Sequence, residues 1–380
     1  MKPLVVLGVT GSIGLQTLDV ARDLGIEVAA IAARRGGDDL IELAAKWPNA
    51  VVAVSDPAPD ARDACRQALG DRVSFGDEAV VELAASPNSV VVNGIVGAAG
   101  LAPSIAAADA GNRIALANKE SLVAGGDVLT SAVGSGGAEI IPVDSEHSAL
   151  WQCLVGDPSY RRIILTASGG PFRGKSRESL KAVSVADALA HPTWAMGSRI
   201  TIDSATLMNK AFEVIEAHHL FAADYDDIDV VVHPQSIIHS MVEYVDGSVK
   251  AQLGDPDMRL PIQYAVTYPE RAPTASRQFD ITKQDLTFEA PDTETFRLLS
   301  LGYEAGRAGG SAPAVLNAAD EVAVAAFLEE MITFLDIEAV VEQCLAAVPW
   351  RPMNTVQDVI DADAEARARA GEIVSEMSAR

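Results

Sequence analysis

Two groups of residues near the middle of the chain have the types and spacing of metal ligands. Asp144 and Glu146 follow an apolar run that ends at Val143, and residues i and i+2 of an extended chain face the same side. Asn209 and Glu213 stand four residues apart in a helical pattern, so they share one face of the helix. Three carboxylates, with waters and a substrate completing the shell, suit Mg²⁺ or Mn²⁺. Solvated loop acids would show the same spacing, and spacing alone leaves that alternative open.

Hydroxyl, amide and cationic groups close to these acids are those that a phosphate monoester needs. They stand in short segments of small turn residues and at the start of the following helix: Ser168, His191, Ser204, Asn209 and Lys210. Taken alone, His191 could also be a core or capping histidine. Trp194 stands in a short glycine-flanked segment, which indicates either core packing or a lid that closes over ligand.

A glycine turn near the N-terminus is the third chemical signal. Gly8, Gly11 and Gly14 stand where an apolar run, residues 3–9, passes into a helical pattern. The spacing is G-x-x-G-x-x-G, which differs from the G-x-G-x-x-G of the usual dinucleotide fingerprint. Glycines still permit the tight turn and let backbone N–H groups approach a pyrophosphate at a helix N-terminus. Such a turn directly after a buried strand predicts a dinucleotide site.

The end of the second predicted strand indicates which dinucleotide binds. A site for NAD would place Asp or Glu there to bind the ribose hydroxyls, whereas this strand ends with Arg34, Arg35 and Gly36. Two arginines suit a 2′-phosphate. In a chain with a net charge of -24, adjacent arginines at this position favour NADPH over an interpretation as solvated loop residues.

The order of apolar runs and helical patterns predicts the scaffold that positions these groups. Strands and helices alternate over about the first 140 residues, which predicts an α/β fold with an N-terminal Rossmann-like parallel sheet. Residues 138–270 mix strand-like runs with helices, which predicts a central α+β catalytic domain. Residues 268–295 contain three prolines among polar residues, and the helical periodicity that follows predicts a C-terminal helical bundle. The predicted division is an NADPH-binding domain at 1–143, a metal and substrate domain at 144–267, a connecting segment at 268–295 and a helical domain at 296–380.

The composition excludes several classes of protein. A net charge of -24 argues against a nucleic-acid surface, because neutralising phosphates takes clustered Lys and Arg. An anionic substrate would therefore need a local basic pocket inside an acidic shell. No apolar run approaches the roughly 20 residues of a membrane span, and the first apolar stretch runs into a glycine turn, so it predicts a strand and not a secretion signal. The three widely spaced cysteines fit buried thiols in a reducing compartment, and we predict a cytoplasmic protein.

Longer motifs carry a resemblance to a known family. They occur in family order along nearly the whole chain: GVTGSIGLQTLDV, ANKESLV, PVDSEHSALWQ, LTASGGPFR, HPTWAMGSRITIDSATLMNKAFEVIEAHHLF, HPQSIIHSMVEYVDGSVKAQLGDPDMRLPIQYA and LNAADEVAVAAFL. In these motifs the chain resembles the 1-deoxy-D-xylulose 5-phosphate reductoisomerase family. The resemblance implies NADPH-dependent conversion of 1-deoxy-D-xylulose 5-phosphate to 2-C-methyl-D-erythritol 4-phosphate, a step of isoprenoid precursor biosynthesis, with a divalent metal as Lewis acid. It also implies a homodimer.

The resemblance further implies roles for individual residues. The implied metal ligands are Asp144, Glu146 and Glu213. The implied catalytic residues are Lys119, Glu146 and His191. The implied substrate contacts are Lys119, Ser145, Glu146, Ser168, His191, Trp194, Ser204, Asn209, Lys210 and Glu213, with Trp194 on a mobile flap. The implied cofactor contacts are Thr10, Gly11, Ser12, Ile13, Arg34, Arg35, Gly36, Asn118, Glu120, Gly197 and Met258.

Two places depart from the family pattern. The segment from Arg34 to Asp38 differs from the common Gly-basic-Asn arrangement, which leaves the individual contacts to the 2′-phosphate open. Ser198 and Arg199 stand where two basic residues are frequent, which would weaken a contact between the flap and the cofactor phosphate.

Two other functions compete with this prediction. A plain NADP-dependent dehydrogenase of the semialdehyde or homoserine type would need no metal carboxylates, and an acyl-transferring version would need a reactive cysteine. Cys153 follows Trp151 and Gln152 in the pattern of a packed helix, which argues against a reactive role. A non-catalytic NADP-binding sensor would leave the polar groups at 144–213 unexplained.

Overall fold

The computed structural model describes residues 1–157, 159–193, 197–273, 279–283 and 285–379. The strands of these residues are β1 (Leu4–Leu7), β2 (Val28–Ala33), β3 (Val51–Val54), β4 (Val73–Phe75), β5 (Val90–Asn93), β6 (Arg113–Leu116), β7 (Glu139–Pro142), β8 (Tyr160–Ala167), β9 (Ile228–Val232), β10 (Ile238–Tyr244) and β11 (Val249–Leu253). The α-helices are α1 (Ser12–Leu24), α2 (Asp38–Lys46), α3 (Pro59–Leu69), α4 (Asp77–Ala84), α5 (Leu101–Asp109), α6 (Glu120–Gly136), α7 (Ser145–Leu154), α8 (Arg177–Leu180), α9 (Val185–Ala188), α10 (Ser198–Thr206), α11 (Met208–Phe221), α12 (Arg259–Thr267), α13 (Leu298–Ala308), α14 (Ala312–Leu328), α15 (Phe334–Ala347) and α16 (Val356–Ser378).

The first of two compact units contains Met1–Ser121, Leu129–Ser148 and Asp257–Gln278. Its centre is a seven-stranded sheet in the order β4-β3-β2-β1-β5-β6-β7, and each neighbouring pair is parallel. Val5 and Val6 of β1 are fully buried, as strands become continuous apolar runs when both faces of a parallel sheet are covered. The Rossmann-like parallel sheet predicted from the sequence is confirmed.

The strand order reverses at β1 and β5, and this reversal creates a place for a ligand. β2 pairs with one side of β1 and β5 with the other, so the chain winds outward in opposite directions from this pair. In open α/β sheets, ligands bind in the crevice at the carboxyl ends of the strands where the order reverses. Gly8 follows β1 and Gly94 follows β5, so both glycines lie at the crevice.

Helix α12 belongs to the first unit although it is more than 100 residues beyond that unit's other segments in sequence. It packs against α1, β6 and β7. Beyond it, the carbonyl oxygen of Tyr268 accepts a hydrogen bond from the Arg113 guanidinium. Met258 directly precedes α12 and therefore belongs to the same unit as the glycine turn. The four-part division of the chain by sequence position stays a prediction.

The second unit contains Leu122–Val128, Ala149–Pro256 and Phe279–Arg380. Its four-stranded sheet has the order β11-β10-β8-β9. β8 is parallel to β9, whereas β10 is antiparallel to both β8 and β11. The strand-like runs of the central region therefore form a mixed sheet, as the predicted α+β class requires.

The helices of the C-terminal region share their core with this mixed sheet. Leu165 of β8, Phe212 of α11, Leu316 of α14 and Val341 of α15 are members of one buried apolar cluster. α14 packs against both α15 and α16, and α11 packs against α13. The predicted helical C-terminal region is confirmed, and its apolar faces help to fix α10 and α11, which carry much of the candidate site.

Candidate active site

The glycine turn after β1 is packed too tightly for side chains. Gly8 has φ 77°, and a Cβ there would lie 2.6 Å from the carbonyl oxygen of Gly94. A Cβ on Gly14 would lie 2.4 Å from Val9 Cα. A Cβ atom does not approach a non-bonded atom this closely in real proteins, so both positions require glycine. The turn thereby brings the start of α1 directly to the carboxyl ends of β1 and β5.

The start of α1 is suited to an anion. Gly11 is its N-cap residue, supplies no side-chain cap, and the first turn contains no acidic residue. The first N–H groups of a helix lack partners within the helix, and the helix dipole favours negative charge near them. Thr10, Gly11 and Ser12 are exposed there and Ile13 is half-buried. The four residues predicted to contact cofactor phosphates thus surround one helix N-terminus.

Arg34 and Arg35 are exposed residues at the end of β2. Arg34 Nη2 lies 3.4 Å from Asp56 Oδ2, and both side chains are largely exposed. An exposed pair at this distance is weak, so the guanidinium can leave Asp56 for a phosphate group. A Cβ on Gly36 would lie 2.8 Å from Cys65 Sγ, which explains the glycine after the arginines.

Asn118 organises the loops at the carboxyl ends of β5 and β6. Its side chain is buried and donates from Nδ2 to the carbonyl oxygen of Ile95 at 2.6 Å and to Glu120 Oε2 at 2.8 Å. Its Oδ1 accepts from the backbone N–H of Ser121 at 3.1 Å. Asn118 and Glu120 therefore shape the rim of the crevice, while their predicted contact with a cofactor stays a prediction.

Lys119 and Asp144 are brought together by neighbouring strands. Lys119 follows β6, Asp144 follows β7, and these two strands pair in parallel. Lys119 Nζ lies 2.8 Å from Asp144 Oδ2, and each side chain is 12% exposed. His147, to which the sequence assigned no role, is buried with Nδ1 4.0 Å from the same Asp144 oxygen. In the sequence, the position of His147 directly after the candidate ligand Glu146 could have indicated that it lies beside Asp144.

The local geometry predicted for Asp144 and Glu146 is wrong. β7 ends at Pro142 and helix α7 begins at Ser145, so these acids are not alternate residues of an extended chain. The Asp144 carbonyl oxygen accepts the first helical hydrogen bond, from the N–H of Ser148 at 2.8 Å. Glu146 lies in the first turn, and its carboxylate accepts a hydrogen bond from the Ser145 hydroxyl. Asp, Ser and Glu in succession favour a helix N-terminus, which the strand pattern before them obscured.

In the second unit, Ser168 and His191 form a hydrogen-bonded pair. Ser168 follows β8, and its Oγ lies 3.0 Å from His191 Nε2. The N–H of Thr193 donates to His191 Nδ1 at 3.2 Å, so the proton of the neutral ring is on Nε2 and is donated to Ser168. Burial lowers the pKa of His191 below its ordinary value, which keeps the ring neutral at physiological pH.

Gly170 packs the Ser168 loop directly onto helix α10. Gly170 has φ 66°, and a Cβ there would lie 2.6 Å from the carbonyl oxygen of Ser204. No side chain fits between the loop and the helix at this point. Ser168 and Ser204 are thereby held on adjoining segments of the second unit.

Replacement of Gly170 by Ala is expected to lower the thermal unfolding midpoint, because the new methyl group must displace the backbone of α10. Gly174→Ala is the matched control: Gly174 has φ 76°, but a Cβ there meets nothing within 4 Å. The control has the same backbone strain without the clash. We expect Gly170→Ala to melt at least about 5 °C below Gly174→Ala. Equal midpoints, measured by circular dichroism, would show that the loop does not press on α10.

A break between α10 and α11 sets the direction of α11 and of the residues on it, Asn209 and Glu213. Leu207 has φ 63°, so α10 ends there and α11 begins at Met208. Asn209 and Glu213 share one face of α11, as their spacing predicted, and Asn209 Nδ2 donates to Glu213 Oε1 at 2.5 Å.

Lys210 and Glu213 are a buried ion pair on α11. Lys210 is 3% exposed and Glu213 0% exposed, and the Lys210 ammonium contacts the Glu213 carboxylate directly. Buried charges of this kind persist when each has an opposite charge beside it. Of the remaining predicted residues, Gly197 is the N-cap of α10, while Trp194 lies outside the described residues.

Comparison with protein-family models identifies three successive segments of the chain. Residues 4–126 match the model for 1-deoxy-D-xylulose 5-phosphate reductoisomerase. Residues 140–221 match the model for the C-terminal domain of 1-deoxy-D-xylulose 5-phosphate reductoisomerase. Residues 253–369 match a further DXP reductoisomerase C-terminal domain. The three segments contain nearly all the residues discussed above.

The sequences of individual relatives align with this chain over nearly their whole length. The chain is 50% identical over 376 residues to the 1-deoxy-D-xylulose 5-phosphate reductoisomerase of Chloroherpeton thalassium, covering 97% of each chain. It is 52% identical over 380 residues to the enzyme of the same name from Acetivibrio thermocellus, covering 97% of this chain and 98% of the relative.

Solved structures of such enzymes have the same fold as this chain. The 1-deoxy-D-xylulose 5-phosphate reductoisomerase of Zymomonas mobilis in complex with NADPH superposes with a TM-score of 0.92 at 43% identity, covering 98% of this chain and 99% of that one. A DOX-P reductoisomerase in complex with NADPH, fosmidomycin and magnesium superposes with a TM-score of 0.91 at 39% identity, covering 99% of this chain and 98% of that one.

Proposed function

The chain belongs to the 1-deoxy-D-xylulose 5-phosphate reductoisomerase family, and from this membership we propose how its residues divide between cofactor, metal and substrate. The enzyme converts 1-deoxy-D-xylulose 5-phosphate to 2-C-methyl-D-erythritol 4-phosphate with NADPH and a divalent cation. When bound, the cation polarises the substrate carbonyl as a Lewis acid and NADPH supplies the hydride.

The first unit has the features that NADPH needs. The glycine turn leaves the N–H groups at the start of α1 open to the pyrophosphate, with contacts from Thr10, Gly11, Ser12 and Ile13. At the end of β2, Arg34 and Arg35 would bind the 2′-phosphate, Arg34 by exchanging its weak pair with Asp56. The remaining cofactor contacts that we propose are Gly36, Asn118, Glu120 and Met258 of the first unit and Gly197 of the second.

The donor set that we propose for the cation contains only carboxylate oxygens, from Asp144, Glu146 and Glu213. Hard oxygen ligands fit magnesium or manganese and do not fit cations that prefer thiolates. Two of these carboxylates already have a cationic neighbour within their own unit, Lys119 beside Asp144 and Lys210 beside Glu213. Each lysine balances the negative charge of its carboxylate in the interior before a cation binds.

The substrate phosphate would be bound by groups of the second unit. We propose contacts from Ser168, His191, Ser204, Asn209 and Lys210. Because Ser168 Oγ accepts the proton of His191 Nε2 and the N–H of Gly170, its own O–H proton is available to a phosphate oxygen. Lys210 places a positive charge at the start of α11, where the helix dipole also favours an anion.

Groups nearer the reacting carbons would be Lys119, Ser145 and Glu146, with Trp194 covering the substrate. Lys119 Nζ has protons to donate and already contacts Asp144, so it could hold or move a proton at a substrate oxygen. His191 would act as a neutral hydrogen-bond donor, since burial lowers its pKa.

The competing dehydrogenase mechanism with an acyl-enzyme is disfavoured by the state of Cys153. Burial raises the pKa of this thiol to about 11, and a thiol becomes a nucleophile only when it is deprotonated. Cys153 therefore remains a protonated, packed side chain.

We also propose that the enzyme is a homodimer in the cytoplasm, as the family resemblance and the composition led us to expect. No helix among the described residues is long and apolar enough to cross a membrane. Light scattering coupled to size exclusion tests the dimer: a mass near 39.8 kDa would refute it, and twice that mass would support it.

Removal of the divalent cation is expected to stop the reaction. In an assay that follows NADPH absorbance with 1-deoxy-D-xylulose 5-phosphate present, chelation should abolish NADPH oxidation, and added Mg²⁺ or Mn²⁺ should restore it. NADH should react much more slowly, because Arg34 and Arg35 would then lack a 2′-phosphate to bind. NADPH oxidation that continues at an unchanged rate in excess chelator would rule out the metal role.

A further inference from the structure

The pair of Arg34 and Asp56 is built into the carboxyl edge of the parallel sheet. Arg34 directly follows β2, Asp56 lies two residues beyond the end of β3, and these strands are parallel neighbours. Their backbone pairing continues past both strands: the N–H of Ser55 donates to the Ala33 carbonyl oxygen at 3.1 Å, and the N–H of Asp56 to the Arg34 carbonyl oxygen at 2.8 Å. The two side chains therefore leave adjacent points of a fixed backbone.

The loop that follows the arginines is also held in place. A Cβ on Gly36 would lie 2.8 Å from Cys65 Sγ and 3.3 Å from the Ala61 carbonyl oxygen, so this loop is pressed against α3. Helix α3 begins at Pro59, three residues beyond Asp56. Movement of Arg34 away from Asp56 is thus confined to its long side chain, because the backbone on both sides is packed.

Arg34 and Arg35 differ in what their guanidinium groups already bind. Arg34 Nη2 lies 3.4 Å from Asp56 Oδ2. Within the described part of the chain, no carboxylate forms an ion pair with Arg35, whose side chain is exposed. An incoming phosphate would therefore find Arg35 available, but it would have to displace Asp56 from Arg34.

A carboxylate and a phosphate can bind a guanidinium in the same way, through parallel N–H···O hydrogen bonds. They therefore compete for the same edge of Arg34. The phosphate can displace the carboxylate because a phosphate monoester carries about 1.5 to 2 negative charges at neutral pH, whereas a carboxylate carries a single charge. The exchange still costs the free energy of the Arg34–Asp56 pair. NADH lacks the 2′-phosphate, so its binding does not require this exchange.

We propose that Asp56 is a specificity-determining residue: its carboxylate competes with the 2′-phosphate of NADPH for the Arg34 guanidinium and so limits the preference for NADPH over NADH. The inference rests on the role proposed above for Arg34. Asp56 does not touch the reacting atoms, and its replacement should leave the KM for the sugar phosphate unchanged. NADP⁺ carries the same 2′-phosphate, so the competition weakens product binding as well.

Asp56→Asn removes the competing charge and keeps the size of the side chain. The dissociation constant of NADPH, measured by fluorescence titration, should fall about threefold, as expected for the loss of an exposed ion pair that binding must break. The dissociation constant of NADH should stay unchanged, and the gain for NADPH should shrink as salt is added. An unchanged or higher dissociation constant for NADPH would overturn the proposal, because Asp56 would then have no effect on Arg34 or would orient it for the phosphate.

Asp23→Asn is the matched control, because it removes the same charge from another exposed ion pair of the first unit. Asp23 Oδ1 lies 3.2 Å from Arg22 Nε. Both residues are in the last turn of α1, at the opposite end from the proposed cofactor contacts. Neither dissociation constant should change in this variant. An equal gain in NADPH affinity for Asp23→Asn would refute the competition, because the net charge of the protein would explain both results.

The deciding experiment is a double-mutant cycle of Asp56→Asn with Arg34→Ala, read as the dissociation constant of NADPH. Arg34→Ala should raise that constant about tenfold. In this background Asp56→Asn should give no gain, since no guanidinium remains to compete for, whereas the same gain in both backgrounds would overturn the inference. Arg34→Ala with wild-type NADPH affinity would refute the role proposed for Arg34 itself, which distinguishes that failure from a failure of the competition alone.

Discussion

Glu213→Gln is expected to reduce kcat by at least roughly a thousandfold, because it removes one of the three carboxylates proposed to bind the metal that acts as Lewis acid. The substitution keeps the volume of the side chain and removes its charge. Glu213 is fully buried beside Lys210 and Asn209, so its carboxylate is held in place before a cation binds. NADPH binding, measured by fluorescence titration, should stay close to the wild-type value, since none of the proposed NADPH contacts lies on α11.

Glu338→Gln is the matched control for this substitution. Glu338 lies on α15, is 7% exposed and forms an ion pair with Arg177, so the same chemical change is made at another buried ion pair, away from the proposed metal ligands. We expect kcat within about threefold of wild type for this variant. Normal turnover by Glu213→Gln, or an equal loss in both variants at matched thermal stability, would show that Glu213 is not a specific metal ligand.

Gly14→Ala is expected to weaken NADPH binding by roughly a hundredfold or more, since a displacement of about 1 Å in a binding group is enough for such an effect. A Cβ at this position would lie 2.4 Å from Val9 Cα and 2.5 Å from the Gly8 carbonyl oxygen. The turn after β1 would have to move, and the N–H groups at the start of α1 would move with it. The dissociation constant of NADPH is the measurement.

Gly25→Ala provides the control at the other end of helix α1. Gly25 has φ 65° and caps the C-terminus of the helix, and a Cβ there meets nothing within 4 Å. The control should lose thermal stability through backbone strain and keep its affinity for NADPH. A folded Gly14→Ala protein that binds NADPH as tightly as wild type would exclude the glycine turn as the cofactor site.

The parallel sheet of the first unit followed directly from the sequence. Runs such as residues 3–9 are apolar throughout, and only strands buried on both faces require this. The glycine turn followed for a similar reason, since the close approaches at Gly8 and Gly14 leave no room for another residue. Asn209 and Glu213 could also be placed on one helix face, because a helix of fixed pitch converts spacing into direction.

The local structure at Asp144 and Glu146 could not be predicted as reliably. An apolar strand pattern ends at Val143, and a short polar segment after it is compatible with either continued strand or a new helix. Helix α7 begins at Ser145 because the following residues can bury an apolar face, which is a property of the packed protein. The prediction therefore gave the wrong direction for the Glu146 side chain. Glu146 nevertheless remains a proposed metal ligand.

By itself, the sequence determined the elements, the glycine turn, the family and the chemical types of the site residues, because periodicity, close packing and motif order are recorded along the chain. Only the tertiary structure decided which distant side chains meet. Lys119 reaches Asp144 because β6 and β7 are neighbours in the sheet, and His191 reaches Ser168 across an intervening pair of short helices. The raised pKa of Asp320 is a further case: it results from burial on α14 and from the carboxylate of Asp203, which is more than 100 residues away in sequence. Such effects are set by packing and by the low dielectric constant of the interior, and neither is encoded in the spacing of residues.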